Sequence, residues 1–229
     1  MAEHGWLGPI EWAAKARARP GENICGDRLI AVDVNQAGAL LGVLDGLGHG
    51  ADAAEASQRG VEVLRAARAE PLDVLVKRCH HALSGTRGVA MTLAHLDFQA
   101  GTLSWIGVGN VTADLVAKHP AGVEVRSSAR LIGGIVGYRI PETLTPQHVS
   151  VRPGDLLVIA SDGIVDGHLD DIDFAASPLA IVDHILHNYA KENDDALVLA
   201  ARHRGASATG AYDRADDDAE HSDEEERRL

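Results

Sequence analysis

The chain has 229 residues and is poor in cysteine, aromatic residues, positive charge and long apolar runs. Two cysteines, Cys25 and Cys79, cannot build a disulfide framework and stand at no metal-ligand spacing. They read as reduced thiols of a cytoplasmic protein. Aromatic residues make up 3% of the chain against 45% hydrophobic, so Val, Leu, Ile and Ala must fill the core. No stretch approaches the ~18 apolar residues of a membrane span, and MAEHGWLGPI does not have the form of a secretory signal. The expectation is a soluble intracellular protein with no membrane partner. Lysine and arginine number 21 against 34 acids, a net charge of −13. Nine of those acids and three arginines lie between Asp213 and Leu229, and the remainder is acidic as well. Both parts being acidic argues against binding nucleic acid through phosphate contacts.

Glycine, by contrast, is abundant at 24 residues, which implies many tight turns between short elements. The segments 10–17 (IEWAAKAR), 28–34 (RLIAVDV) and 38–45 (GALLGVLD) read as strands, the last apolar enough for burial on both faces. Helical spacing runs from Ala51 to Arg68, and a second helix follows Pro71. The stretches 88–97, 102–110 and 111–118 read as an antiparallel meander, and 148–163 as a hairpin across Pro153-Gly154. A helix over 178–190 and a closing strand over 195–202 complete the order. Strands cluster in runs instead of alternating with helices, so the class is α+β with mainly antiparallel sheets. One domain over residues 1–203 is followed by an acidic tail, 204–229, with almost nothing apolar to bury and expected to be disordered.

Aspartates stand at four places where apolar strands begin or end: Asp27 in CGD, Asp45 in VLDG, Asp162 in ASDG and the pair Asp194-Asp195 in NDD. An ionised carboxylate beside a buried strand is costly when unpaired. If the strand ends converge, the carboxylates repel one another and a cation offsets the repulsion. All the donors are oxygens, which suits Mg²⁺ or Mn²⁺ better than zinc or copper. The glycines of DGLGHG (45–50) let the chain turn sharply and let the Gly46 carbonyl approach an ion.

These motifs, in this order, resemble the PPM metal-dependent protein phosphatases, and in particular their SpoIIE-like branch. The resemblance rests on GD at 26–27, LLGVLDGLGHG at 40–50, CHHALSGTRGVAMTLAHLD at 79–97, WIGVGNV at 105–111, DLLVIASDGI at 155–164 and NDDALVLAAR at 193–202. It implies a four-layer α-β-β-α sandwich of two antiparallel sheets flanked by helices. It also implies two metal ions, Mn²⁺ or Mg²⁺. Asp45 would bridge them, Gly46 would offer its carbonyl, Asp162 would complete the second site, and Asp194 would supply a further ligand in preference to Asp195. Asp27 would act through metal-bound water. His49 is a second-choice candidate, though a histidine in a Gly-rich turn more often satisfies local backbone groups. Two departures stand out: Leu197 occupies a position where the family often has Thr, and no arginine is clearly placed to hold phosphate. Arg17, Arg19 and Arg28 read as surface charge, and Gly85-Thr86-Arg87-Gly88 as a turn before a strand, with contact to the substrate as the alternative. The implied activity is hydrolysis of phosphoserine or phosphothreonine on a signalling partner, a STAS-type scaffold of a stress-signalling complex, by metal-activated water. The alternative is an inactive docking module of the same fold. A phosphoacceptor receiver domain would require alternating strands and helices, and the order is wrong for it.

Overall fold

The computed structural model describes residues 2–120 and 122–205, so the tail expected over 204–229 lies, beyond residue 205, outside the described residues. Twelve strands and three helices are present among them. The strands are β1 (Ala2–Leu7), β2 (Ile10–Arg17), β3 (Arg28–Val34), β4 (Gly38–Gly46), β5 (Val89–Asp97), β6 (Thr102–Val108), β7 (Thr112–His119), β8 (Gly122–Ser128), β9 (Leu131–Ile132), β10 (Gln147–Ser150), β11 (Leu156–Ala160) and β12 (Ala196–His203). The helices are α1 (Ala51–Ala67), α2 (Leu72–Ala82) and α3 (Pro178–Tyr189).

One sheet has the order β1-β2-β12-β11-β7-β8 and the other β10-β6-β5-β4-β3, with β9 joined in parallel to β6. Side-chain alternation along each strand divides the core into three layers. In β4, Leu41 and Val43 pack between the sheets with Trp105, Leu157, Leu197 and Leu199. Leu40 and Leu44, on its other face, meet Leu64 of α1 and Leu75 of α2. Val158 and Val198 of the first sheet face Ile181 and Ile185 of α3. The order of layers is helix, sheet, sheet, helix, as the family resemblance implied.

Two local readings are corrected. Strands β6 and β7 are not neighbours in a meander, because Gly109-Asn110 carries the chain from one sheet to the other. Gly109 has φ 98° and donates its N–H to Ile132 O at 2.9 Å, which closes β6 onto the β9 segment instead of onto β7. Likewise β10 pairs with β6 and β11 with β7 and β12, so Pro153-Gly154 is a crossing between sheets and not a hairpin. Arg152 N donates to Asp155 Oδ2 at 2.9 Å and Asp155 N to Arg152 O at 3.0 Å, a tight turn whose exits diverge. Strands β1 and β8 lie at sheet edges and are largely exposed.

Candidate active site

The inter-sheet core ends where aspartates take the place of aliphatic side chains, within β4, just after β11 and just before β12. In β4 the alternation Leu41, Val43, Asp45 puts the carboxylate on the face that packs between the sheets. Strand β3 pairs Arg28 with Leu44, so Asp27, one residue earlier, comes opposite Asp45. Strands β11 and β12 pair Ala160 with Val198, which brings Asp162 and the Asp194-Asp195 pair to the same end.

Glycine makes these approaches possible. A Cβ on Gly46 would stand 2.1 Å from Ala53 O, so the strand can run against the first turn of α1 only without a side chain there. A Cβ on Gly163 would stand 1.8 Å from Asp195 O, and one on Gly26 would stand 2.9 Å from Asp195 Oδ2. Gly46 thus permits close packing of strand on helix, a role the sequence reading did not give it.

Burial raises the pKa of Asp45, the charges of Asp27, Asp162 and Asp194 raise it further, and a hydrogen bond with Asp27 adds to the shift. Asp27, 2% exposed, is also held above the usual carboxylate range by burial, with Asp195 and Asp162 adding to it and hydrogen bonds from Ser161 and Asp45 opposing it. Asp194 is more open; partial burial and then the Asp162 charge raise its pKa. Four of the aspartates singled out in the sequence therefore feel one another's charge.

Asp195 plays a different part. Its Oδ1 accepts from Arg19 N at 2.7 Å and its Oδ2 from Gly26 N at 2.8 Å, and the residue is 3% exposed. It ties the loop before β3 to the start of β12. His49 is exposed and pairs through Nδ1 with Glu22 Oε1 at 2.8 Å. Arg17 and Arg28 are not free surface charges. Arg17 donates to Lys191 O, and Arg28 Nη1 reaches Cys25 O at 2.6 Å and Asp27 O at 2.8 Å.

Supporting residues also emerge that the sequence did not single out. Asn110 Nδ2 donates to Asp162 Oδ2 at 2.7 Å and orients that carboxylate. Ser161 Oγ accepts from Leu197 N at 2.9 Å, locking the two strand ends together. Ser57 Oγ donates to Gly26 O at 2.5 Å and joins α1 to the Asp27 loop. Ser57 was legible as a polar residue on the Ala53, Ala56, Gly60 face of α1. Asn110 was masked by its place in a turn pair.

Among the described residues no three His, Cys, Asp or Glu side chains stand close enough together to hold an ion as they are. The donor chemistry nevertheless fits a hard divalent ion: the acidic side chains offer oxygen alone, and Asp27 Oδ2 is buried with no hydrogen-bond partner.

Two sheets packed face to face under flanking helices, with carboxylates gathered at one end of the layer between them, define a PP2C-type phosphatase domain. The sequence profile of stage II sporulation protein E (SpoIIE) matches residues 35–219, and the chain belongs to this family of PPM serine/threonine phosphatases. It is 24% identical over 146 residues to the phosphoserine phosphatase RsbX of Bacillus subtilis strain 168, covering 64% of this chain and 70% of RsbX. A crystal structure of RsbX in complex with magnesium superposes with a TM-score of 0.74 at 21% identity, over 88% of this chain and 99% of that one. A chain from work on the bacterial stressosome, described as a modular system adapted to control secondary messenger signalling, gives a TM-score of 0.75 at 30% identity. The match covers 84% of this chain and 99% of that one.

Proposed function

We propose that the protein hydrolyses phosphoserine or phosphothreonine on a signalling partner, using two divalent ions held by Asp45, the Gly46 carbonyl, Asp162 and Asp194, with Asp27 beside them. The observation that carries this is the convergence of Asp27, Asp45, Asp162 and Asp194, from four distant stretches of chain, at one end of the inter-sheet layer. Bound Mn²⁺ or Mg²⁺ would lower the pKa of water and neutralise charge on the phosphoryl oxygens. The chain's own groups orient the reactants. Asn110 fixes Asp162, Asp195 holds the Gly26-Asp27 segment in place, and the unpaired Asp27 Oδ2 can accept a proton from an attacking water. No protein nucleophile is required. The Cys25 thiol is pushed up to about 12 by burial and by the Asp27 charge, so it stays protonated, and the Ser161 hydroxyl accepts from Leu197 N while bonding to the Asp27 carboxylate.

The relatives' descriptions name a phosphoserine phosphatase and a stressosome. Together with the family resemblance they support a phosphorylated STAS-type scaffold as substrate, in the cytoplasm. Among the described residues no helix is long and apolar enough to cross a membrane.

The test is hydrolysis of a chromogenic phosphate monoester with and without Mn²⁺, comparing the native chain with Asp45→Ala and Asp162→Asn. Turnover that requires metal and drops by at least about 100-fold in both variants is expected for loss of metal-held charge stabilisation. Absence of turnover together with absence of Mn²⁺ binding by calorimetry would favour the docking-module alternative.

A further inference from the structure

The turn Gly85–Gly88 is more tightly built than a link between α2 and β5 requires. Thr86 N donates to Leu83 O at 3.0 Å, Thr86 Oγ1 donates to the same carbonyl at 2.7 Å, and Gly88 N donates to Thr86 Oγ1 at 3.1 Å. Gly88 has φ 76°, and a Cβ there would stand 2.7 Å from Val136 O. Leu47 N donates to Gly88 O at 3.0 Å, and Val89 pairs with Gly46, so the turn is fastened directly to the loop that follows Asp45. The residue this scaffold presents is Arg87, whose side chain is 46% exposed.

The Arg87 guanidinium lies across DGLGHG. Its Nη2 donates to Asp52 Oδ2 at 2.7 Å, and its Nη1 is 2.7 Å from where a Cβ on Gly48 would stand. Gly48, at φ +89°, leaves room for that guanidinium. The Asp52 carboxylate is 67% exposed, and an ion pair this open contributes little to folding. Arg17 and Arg28 are committed to backbone carbonyls. An incoming phosphate therefore meets a cluster of carboxylates with the solvent-facing Arg87 guanidinium held against the loop that follows Asp45.

We propose that Arg87 is the residue that binds the substrate's phosphoryl oxygens, exchanging Asp52 for the phosphate as substrate enters. This rests on the phosphatase reading. A guanidinium presents parallel donors that match a phosphate edge, whereas Asp52 occupies one nitrogen and keeps the side chain extended over the loop until then. The phosphate-binding arginine then comes from the GTRG turn, with Arg17 and Arg28 held by backbone carbonyls.

The experiment titrates inorganic phosphate into Mn²⁺-loaded protein by calorimetry, alongside kcat and KM for the chromogenic monoester, in native protein, Arg87→Ala, Arg87→Lys, Asp52→Asn and Lys191→Ala. Arg87→Ala is expected to weaken phosphate binding and kcat/KM by about 10- to 100-fold, the worth of one or two charge-assisted hydrogen bonds. Arg87→Lys should recover part of that loss, Mn²⁺ affinity should stay unchanged, and Asp52→Asn should bind phosphate at least as well as native protein. An Arg87→Ala effect below about 3-fold would overturn the inference, since it would be no larger than a surface pair supplies. An equal loss in Asp52→Asn would reduce Arg87 to a strut for α1, and a loss confined to Lys191→Ala would place the anion site beside Asp194. A native protein that binds phosphate through Arg87 without turnover would count against the phosphatase reading and for this one.

Discussion

At the scale of single residues, the site depends on glycine as much as on aspartate. The Gly163 carbonyl accepts from Lys191 N at 2.8 Å, and a methyl group on Gly163 would drive into Asp195 O. Gly163→Ala is expected to cost roughly 1–3 kcal/mol, the usual range for overpacking a rigid contact. Gly133, with nothing within 4 Å of an added Cβ, is the control: Gly133→Ala should stay within about 0.5 kcal/mol. Urea unfolding of the two variants checks this, and equal losses would show that the Gly163 contact relaxes freely. The glycine of DG motifs was visible in the sequence. That its reason is a backbone carbonyl on another strand or helix was not, because that carbonyl is set by a partner far along the chain.

At the scale of elements, adjacent aspartates at the start of β12 have divergent tasks. Asp195 joins two elements by accepting from Arg19 N and Gly26 N, while Asp194 faces Asp162 and is more open. Asp195→Asn leaves one of those N–H groups facing an amide donor, an unsatisfied buried group that costs about 1–3 kcal/mol. Asp194→Asn should leave stability within about 0.5 kcal/mol and instead weaken Mn²⁺ binding. Thermal unfolding paired with metal titration separates the two, and the reverse pattern would exchange the roles of Asp194 and Asp195. Local reading chose Asp194 as ligand from motif alignment. The bonds that occupy Asp195 come from a loop roughly 170 residues earlier, a separation of 169 for Gly26, and no local pattern announces them.

For the whole molecule, burying like charges makes stability depend on pH in a stated direction. Without metal, the folded state keeps protons on Asp45 and Asp27 at pH values where the unfolded chain, near the ordinary carboxylate value of about 4, has lost them. The folded state then binds more protons than the unfolded state, so stability falls as pH rises through this interval, up to about 9 for Asp45. In chelator, the melting temperature should therefore decline between about pH 5 and pH 9. Mn²⁺ should raise it most at the alkaline end, where the carboxylates are free to bind. A chelated protein whose stability is flat or rises over this interval would show that the aspartates are better solvated than their burial implies.

By itself the sequence determined the fold class, the boundaries of most elements, and the short stretches in which acidic oxygen donors had to lie. These follow from local quantities: the period of apolar residues, the turn preferences of glycine and proline, and the cost of a lone carboxylate beside a buried strand. Tertiary structure alone decided that Gly109-Asn110 and Pro153-Gly154 carry the chain between sheets. It also decided that Asp195 is spent on backbone N–H groups and that Arg87 lies over the Asp45 loop. The physical reason is that alternation specifies which face of a strand is apolar but not which sheet that face packs against. A side chain's partner is fixed only when elements distant in sequence are brought into register by the common core.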